Sequence, residues 1–179
     1  MNTATRAAAL AMMLLALPAV ALAQNGDGPD EPVTASLKGL HDITKNNLMK
    51  TAEMLDDAMY AYQPTEEVRT AGQILAHVAN AQYAFCAAAA GEDSPNATNY
   101  EEAATTKADI VAALEAAFAY CDGVYAEMTD AEGAEVRNVF GMEMAASAIL
   151  AFNAAHNYEH YGNLVTYMRI NGMTPPSSM

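Results

Sequence analysis

Apolar residues recur every three or four positions along four long stretches of this chain, and this pattern constrains the fold more than any other feature. Such a period matches one face of an α-helix packed on a core, whereas the alternation typical of strands is nearly absent. The four stretches cover residues 33–62, 70–90, 105–128 and 142–171. Four amphipathic helices in one domain predict an all-α fold, a four-helix bundle over residues 33–174.

Residues that cap or break helices delimit these stretches. Thr70 is a suitable N-cap for the second helix, and Gly91 is a suitable C-terminal stop for it. Pro64 ends the first stretch, and Gly172 ends the fourth just before two prolines. We therefore expect loops between the helices and a loose tail over residues 175–179.

Residues 1–23 are typical of a secretory signal peptide. Arg6 gives a weakly positive start, residues 7–17 form an apolar run, and residues 21–23 (ALA) match a small-residue cleavage site. The run is shorter than the roughly 20 residues that a membrane span needs, and a buried N-terminal helix is the alternative. No cysteine lies directly after the cleavage site, where a lipid anchor would be attached. We therefore expect a periplasmic or secreted protein with a flexible polar lead-in over residues 24–32.

The chain is strongly acidic, with 8 Lys and Arg against 22 Asp and Glu and a formal net charge of −14. Nucleic-acid binding requires clustered basic side chains, so this composition argues against nucleic acid as a partner. No apolar stretch after the signal is long enough to span a membrane. A small molecule is therefore the type of partner that we expect.

Two cysteines, Cys86 and Cys121, leave two readings open. In an oxidising compartment they could form a disulfide, and the alternative is a pair of small buried thiols. Their separation does not match the short Cys-x-x-Cys spacing that metal sites use. The sequence alone does not decide between the disulfide and the free thiols.

Two of the four histidines lie four residues apart in the stretch HNYEH, at His156 and His160. Residues four apart share one face of a helix, so these imidazoles are predicted to be neighbours. The same face carries a mostly apolar set, which predicts that it is the buried one. Its other members are Ile149, Phe152, Asn153, Asn163 and Tyr167.

Buried imidazoles need polar partners, and a shared metal ion would satisfy both at once. His77 lies in the second helix on a face with small alanines, and a bundle can bring that face against the fourth helix. Three His from two helices would form a tripod with open coordination positions. The predicted ligands are His77, His156 and His160, for a divalent ion such as Zn, Ni or Fe. Asn153 and Asn163 could orient the ligands, or else be surface or capping residues.

Two further features allow other interpretations. His41 lies off the apolar line of the first helix and is predicted to be a surface or hydrogen-bonded histidine, not a ligand. His156 to His160 also spells His-x-x-Glu-His, a peptidase motif in which Glu159 would be the general base. No acidic residue follows Glu159 to serve as the third ligand that such peptidases use, so this reading is the weaker one.

Two segments carry a resemblance to a known family: RTAGQILAHVANAQYAFC over residues 69–86 and AAHNYEHYGNLVTYMRINGMTPPSS over residues 154–178. They resemble the DinB/YfiT superfamily, in the branch of DinB-like domain proteins. The matching features are a His in the second helix, His-x-x-x-His in the fourth, and a Gly two residues after the last His. His77, His156, His160 and Gly162 lie at those positions.

The resemblance implies a bundle with up-down-down-up connectivity and a divalent metal held by the three histidines. It also implies a homodimer, and relatives include transferases and isomerases that use a low-molecular-weight thiol. The function expected from the whole sequence is therefore a metal-dependent transferase or hydrolase of unknown substrate. A metal-binding bundle without catalysis, or a purely structural bundle, is the alternative.

Overall fold

The structure is a computed structural model that describes residues 30–179. The predicted signal peptide over residues 1–23 and most of the predicted lead-in lie outside the described residues. Four long helices dominate, as the sequence period predicts, and short elements lie between them. The long helices are α1 (Pro32–Met54), α3 (Ala71–Ala90), α5 (Lys107–Glu127) and α7 (Ala146–Ile170). The short elements are α2 (Asp57–Tyr60), α4 (Tyr100–Ala103), α6 (Asp130–Gly133), strands β1 (Val136–Val139) and β2 (Met142–Ala145), and a final 3₁₀ turn (Pro176–Ser178).

Helices that follow each other along the chain are not always neighbours in the bundle. Helix α3 packs on α5 and α7, and α1 packs on the same two helices from the opposite side. Contacting residues near the two ends of each pair show that α3 and α5 are parallel, while α1–α5 and α3–α7 are antiparallel. For α3 and α5 the contacts are Gly72–Ile110 and Cys86–Cys121. For α1 and α5 they are His41–Asp122 and Leu55–Lys107. For α3 and α7 they are His77–His160 and Gln82–Asn153. The connectivity is therefore up-down-down-up, as the resemblance implied.

Parallel neighbours require a connection that returns along the bundle, and residues 91–106 provide it between α3 and α5. This return segment is fastened to the middle of α3 by Asn80. The side chain of Asn80 donates to Asn99 Oδ1 and accepts from the backbone N–H of Tyr100, both at 2.8 Å. The segment thereby passes beside the N-terminal half of α3, where His77 lies, and it places Glu101 next to His77.

The helix boundaries follow the predicted caps at most positions. The Thr70 hydroxyl accepts from the Gln73 N–H while Gln73 reaches back to Thr70, and Thr106 and Asp109 form the same capping box on α5. Gly91 ends α3 with φ of +75°, the left-handed conformation that glycine adopts without a Cβ clash.

The first stretch is interrupted earlier than predicted. We expected a helix to residue 62, but α1 ends at Met54 and Leu55 is extended. The side chain of Asp56 then accepts from the Met59 N–H and caps a separate turn, α2. The short acidic side chain competes for backbone donors, which explains the break.

The start of the fourth stretch was predicted wrongly as helix. Residues 142–145 form strand β2, which pairs with β1 in an antiparallel hairpin, and α7 begins only at Ala146. Phe140 and Gly141 make the two-residue turn with φ of +51° and +80°, as a type I′ turn requires. The left-handed turn at Phe140 and Gly141 directs residues 142–145 back along β1, so these four residues pair as a strand and do not join the helix.

The last residues differ from the loose tail that we expected. Pro175 and Pro176 are buried, and the Ser177 N–H donates to the Tyr161 hydroxyl at 2.9 Å. The 3₁₀ turn also contacts α1. Proline side chains are apolar and carry no N–H to satisfy, so they cover the end of the bundle at little cost.

Cys86 on α3 and Cys121 on α5 form a disulfide, with Cα atoms 5.5 Å apart. Both residues are fully buried. The bond decides between the two readings that the sequence left open, and it fixes the parallel pair of helices to one another. Within residues 30–179, no helix is both long enough and apolar enough to cross a bilayer.

Candidate metal centre

The three predicted histidines meet between α3 and α7. His77 Nε2 lies 3.1 Å from His156 Nε2, and His160 Nε2 lies 3.0 Å from the same atom. The antiparallel packing of α3 on α7 brings His77 opposite the pair, and the i, i+4 spacing places both members of the pair on one face. The prediction that these side chains come together is therefore confirmed, and the group could hold a metal ion.

The spacing of the nitrogens fits a metal ion. A tetrahedral ion bound at about 2.0–2.1 Å separates its nitrogen ligands by about 3.4 Å. The two observed separations, 3.0 and 3.1 Å, lie within a few tenths of an ångström of that value. Each histidine offers one nitrogen, and these nitrogens all lie within 4.8 Å of one another.

Hydrogen bonds among the three histidines cannot pair all of the nitrogens that face one another. An imidazole nitrogen carries either one proton or one lone pair, and His156 Nε2 has two nitrogen neighbours. Because His77 Nδ1 lies 2.9 Å from Glu101 Oε2 and donates to it, the Nε2 atom of a neutral His77 is an acceptor. If His156 Nε2 carries a proton and donates it to His77, it has no lone pair left to accept a hydrogen bond from His160 Nε2. A cation among the three lone pairs removes this conflict.

A proton on His156 or His160 is a poor candidate for that cation near neutral pH. Burial lowers the pKa of His156 to about 3, and the neighbouring His160 and His77 lower it further in the same direction. Burial is also the main reason that the pKa of His160 is lowered, with His77 as the second cause. Both imidazoles are therefore neutral, which is the state that binds metal ions.

Glu101 is a site residue that the sequence reading missed. One oxygen of its carboxylate accepts from His77, and the other accepts from Arg69 Nε at 2.8 Å. Burial works to raise the pKa of Glu101, but the hydrogen bonds and charges of His77 and Arg69 outweigh it and lower the pKa. The carboxylate stays ionised and turns His77 Nε2 towards the cluster, as carboxylates behind metal-binding histidines commonly do.

The other two histidines lack such support. His156 Nδ1 and His160 Nδ1 are buried and have no hydrogen-bond partner among residues 30–179. Their orientation depends instead on packing: the His156 ring lies 5.5 Å from the Phe85 ring and 4.3 Å from the His160 ring.

A buried amide network lies beside the cluster. Gln82 and Asn153 exchange hydrogen bonds at 3.0 Å, and Gln82 also donates to Asn157 Oδ1 at 2.6 Å. All three side chains are fully buried. Asn153 therefore binds another amide and has no hydrogen bond to a histidine, and Asn163 is exposed. Neither asparagine orients a ligand, because Asn153 is one turn away and Asn163 faces solvent, which was the alternative for Asn163.

His41 is not a surface residue but fully buried, and it belongs to a different cluster. Its Nε2 lies 2.9 Å from Asp122 Oδ1, so it is hydrogen-bonded, which was the other part of the prediction. Asp42 and Asp122 lie close enough to complete a second group of metal-ligand type. Lys45 already pairs with Asp122, and Lys38 lies 2.7 Å from Asp42, so both carboxylates have a cation.

Glu159, the general base of the alternative peptidase reading, is exposed. The side chain that completes the histidine group is His77 and not an acidic residue. The geometry therefore favours the tripod over the peptidase motif.

Comparisons with known proteins agree with this fold. Among curated protein sequences, the uncharacterized protein YjoA of Bacillus subtilis (strain 168) is 24% identical over 137 residues. The match covers 75% of this chain and 88% of YjoA. The crystal structure of a DinB-like protein from Bacillus cereus ATCC 10987 is similar with a TM-score of 0.68 and 19% identity, covering 79% of this chain and 95% of that one. The structure of the Bacillus subtilis YjoA protein gives a TM-score of 0.62 and 21% identity, over 78% of this chain and 93% of that one.

A third similar structure is a mycothiol-dependent maleylpyruvate isomerase, with a TM-score of 0.61 and 20% identity. The match covers 73% of this chain and 60% of the isomerase chain. At these identities the structural likeness shows the fold alone. The profile of the DinB family matches residues 42–178, which include α3, α7 and all three clustered histidines. Because that match spans most of the sequence, this chain belongs to the DinB family.

Proposed function

We propose that this protein is a secreted or periplasmic metalloenzyme of the DinB type. His77, His156 and His160 hold a divalent ion, for which Zn, Ni and Fe are all suitable. The reaction is a transfer or a hydrolysis on a small molecule. When bound, such an ion supplies Lewis acidity and a water that ionises near neutral pH.

The observation that carries the proposal is the convergence of three imidazole nitrogens that hydrogen bonds cannot all satisfy. His156 Nε2 has two nitrogen neighbours at 3.0 and 3.1 Å, and burial lowers the pKa of His156, so that a proton on this imidazole is disfavoured near pH 7. Glu101 adds a fixed negative charge behind His77. The arrangement is one that a divalent cation completes.

Catalysis requires that a substrate reach the ion. Three protein ligands leave coordination positions free, in contrast with the four ligands of structural zinc sites. The His77 side chain is 25% exposed and His156 is partly exposed, so the cluster lies near the protein surface, beside α3 and α7. One protein with this fold is a mycothiol-dependent maleylpyruvate isomerase, which supports an enzymatic role.

The disulfide supports the proposed location. Disulfides persist in secreted and periplasmic proteins, whereas reducing systems keep most cytosolic thiols free. The Cys86–Cys121 bond is therefore in keeping with the signal peptide predicted over residues 1–23.

Metal content per chain tests the proposal. We would purify the protein from the periplasm without a histidine tag and measure bound metals by mass spectrometry, beside the variants His77→Ala and His156→Ala. His41→Gln is the matched control, because it removes a buried histidine outside the cluster. We expect about one ion per chain in the native protein and the control, and little in the two cluster variants.

Hydrolysis of 4-nitrophenyl acetate then separates an enzyme from a metal carrier. The metal-loaded protein should accelerate the reaction relative to His77→Ala. Metal binding without any acceleration would indicate a non-catalytic metal protein, and a chain that takes up no Zn²⁺ or Ni²⁺ would leave a structural bundle as the function.

A further inference from the structure

Three phenylalanine rings form a cluster that adjoins the histidines. Phe85 lies on α3, Phe140 at the tip of the hairpin, and Phe152 on α7 one turn before His156. The Phe85 ring is 5.2 Å from the Phe140 ring, 4.9 Å from the Phe152 ring and 5.5 Å from the His156 ring. We call these three residues the aromatic cluster.

Two of the rings are left in contact with water. Phe140 is 63% exposed and Phe152 is 38% exposed, whereas Phe85 is only 2% exposed and anchors both. Exposing aromatic surface costs free energy that a polar residue at either position would avoid. Part of each ring is therefore available for contact with another molecule, although both rings pack on Phe85.

Phe140 also has an unusual backbone for its type. Its φ of +51° is the left-handed conformation, which a bulky residue rarely adopts, and it is the only residue other than glycine among residues 30–179 with a positive φ. The first central position of a type I′ turn is usually Asn, Asp or Gly. A phenylalanine there keeps its ring beside Phe85 at the expense of the turn, and such outliers cluster at ligand-binding positions.

Small side chains line the helix between the two clusters. Ala81 and Ala84 lie on α3 between His77 and Phe85, at spacings that put them on the same face as His77. Ala84 is partly exposed. The surface beside α3 and α7 thus carries the imidazoles, the small alanine side chains of α3 and the phenyl rings next to one another.

We infer that the aromatic cluster binds an uncharged aromatic or branched apolar group of the molecule that the histidine site acts on. This inference rests on the proposed function, since it assigns the substrate class of the same site. The substrate would place a polar group at the histidines and its apolar part on Phe140 and Phe152.

The size of the exposed patch favours a small molecule over a second copy of this chain. A phenylalanine side chain buries roughly 150–250 Å² when fully covered, so the exposed parts of the two rings amount to about 200 Å². A stable protein interface covers about 800 Å² on each partner. The patch is close in size to one phenyl group.

Two hydroxamates that differ in one group test the inference. Acetohydroxamate and benzohydroxamate chelate a metal ion through the same two oxygens, and only the second carries a phenyl ring. We would measure both dissociation constants by calorimetry on the Zn²⁺-loaded protein and on two variants. Phe152→Ala removes a ring from an exposed helical position, and Phe140→Asn removes a ring while placing in the turn a residue that suits it.

We expect the native protein to bind benzohydroxamate about tenfold more tightly than acetohydroxamate, as the burial of part of a phenyl ring implies. This preference should shrink severalfold in each variant, with little change for acetohydroxamate. Ile170→Ala is the matched control, because Ile170 is 60% exposed at the far end of α7 and should leave the preference intact.

The outcomes separate the two proposals. If acetohydroxamate binds but the phenyl group brings no preference, or the preference survives in both variants, the substrate class is wrong while the metal site stands. If the same variants instead dissociate a dimer in sedimentation while the preference persists, a second copy covers the patch and the inference fails. If neither Zn²⁺ nor Ni²⁺ is retained, the proposed function fails and the inference with it.

Discussion

The two buried histidine clusters of this bundle differ in how their polar groups are satisfied. Between α1 and α5, His41 donates to Asp122, its ring stacks on Tyr125 at 4.2 Å, and Lys45 neutralises the same carboxylate. Between α3 and α7, three imidazoles direct their nitrogens at one another without a lysine or a carboxylate among them. In the first cluster the carboxylate is already paired with a lysine, although His41 Nδ1 is buried without a hydrogen-bond partner among residues 30–179. In the second cluster the nitrogens of three imidazoles face one another instead.

This difference shows that proximity of ligand-type residues is a weak sign of a metal site. Both clusters contain three such residues with ligand atoms close together. In the α3/α7 cluster three imidazole nitrogens face one another with too few protons to pair them all, whereas Lys38 and Lys45 already pair with the carboxylates of the other cluster. The predictions below test this contrast from the largest expected effect to the smallest.

Zinc should stabilise the protein through the α3/α7 cluster alone. At a free Zn²⁺ concentration about 1,000 times the dissociation constant, the free energy of unfolding should rise by about 4 kcal/mol. Denaturant unfolding with and without Zn²⁺ measures the increment. It should disappear in His77→Ala and persist in His41→Gln, and an equal increment in both variants would contradict the contrast.

Replacing His41 by Ala should reduce stability without reducing metal binding. The fully buried ring stacks on Tyr125, so its loss leaves a cavity and should lower the free energy of unfolding by about 2–4 kcal/mol. Denaturant unfolding of the metal-free protein and metal analysis of the refolded protein measure the two effects. A loss of bound metal in a folded His41→Ala protein would mean that the clusters are coupled.

A matched pair of carboxylate variants compares the clusters directly. Glu101 and Asp122 each accept a hydrogen bond from a histidine at 2.9 Å. Glu101→Ala should weaken Zn²⁺ binding by roughly 10–100-fold, because His77 loses the partner that orients it. Asp122→Ala should leave the affinity unchanged. Competition with a chelating dye measures both, and equal affinities in the two variants would remove Glu101 from the site.

The smallest effect expected is a pH dependence from His41. Burial lowers its pKa below 6.5, and the bond to Asp122 opposes this shift without cancelling it. The unfolded chain therefore binds a proton near pH 6.5 that the folded chain does not, so His41 contributes stability above that pH and the contribution is lost as pH falls below it. The free energy of unfolding of chelator-treated protein should fall more steeply between pH 6.5 and 5 than that of His41→Gln. Equal slopes would mean that His41 is protonated in both states.

Much of the fold could be predicted because its signals are local. The helical period of the four stretches, the capping threonine at Thr70 and the stop at Gly91 all act over a few residues, and the structure has them as predicted. The errors lie at positions where another local interaction replaced helical hydrogen bonding. The Asp56 side chain accepts a hydrogen bond from the Met59 N–H just after the end of α1. The turn at Phe140 and Gly141 places residues 142–145 in a strand.

The site was predictable to the extent that it follows helix geometry. His156 and His160 share a face because they are four residues apart, and His77 was placed opposite by the expectation of a bundle. Glu101 had no such signal, since it lies 24 residues from His77 in a stretch between helices. Its position depends on Asn80, which fastens the return segment to α3.

The sequence by itself determined the four long helices, several of their ends and the placement of two imidazoles on one helix face, because each depends on residues a few positions apart. Only the tertiary structure decided which helices are neighbours, that Cys86 and Cys121 bond, that Glu101 supports His77, and that Phe140 lies beside Phe85. These are contacts between segments distant along the chain. They depend on how several apolar faces pack together, and no single stretch of sequence carries that information.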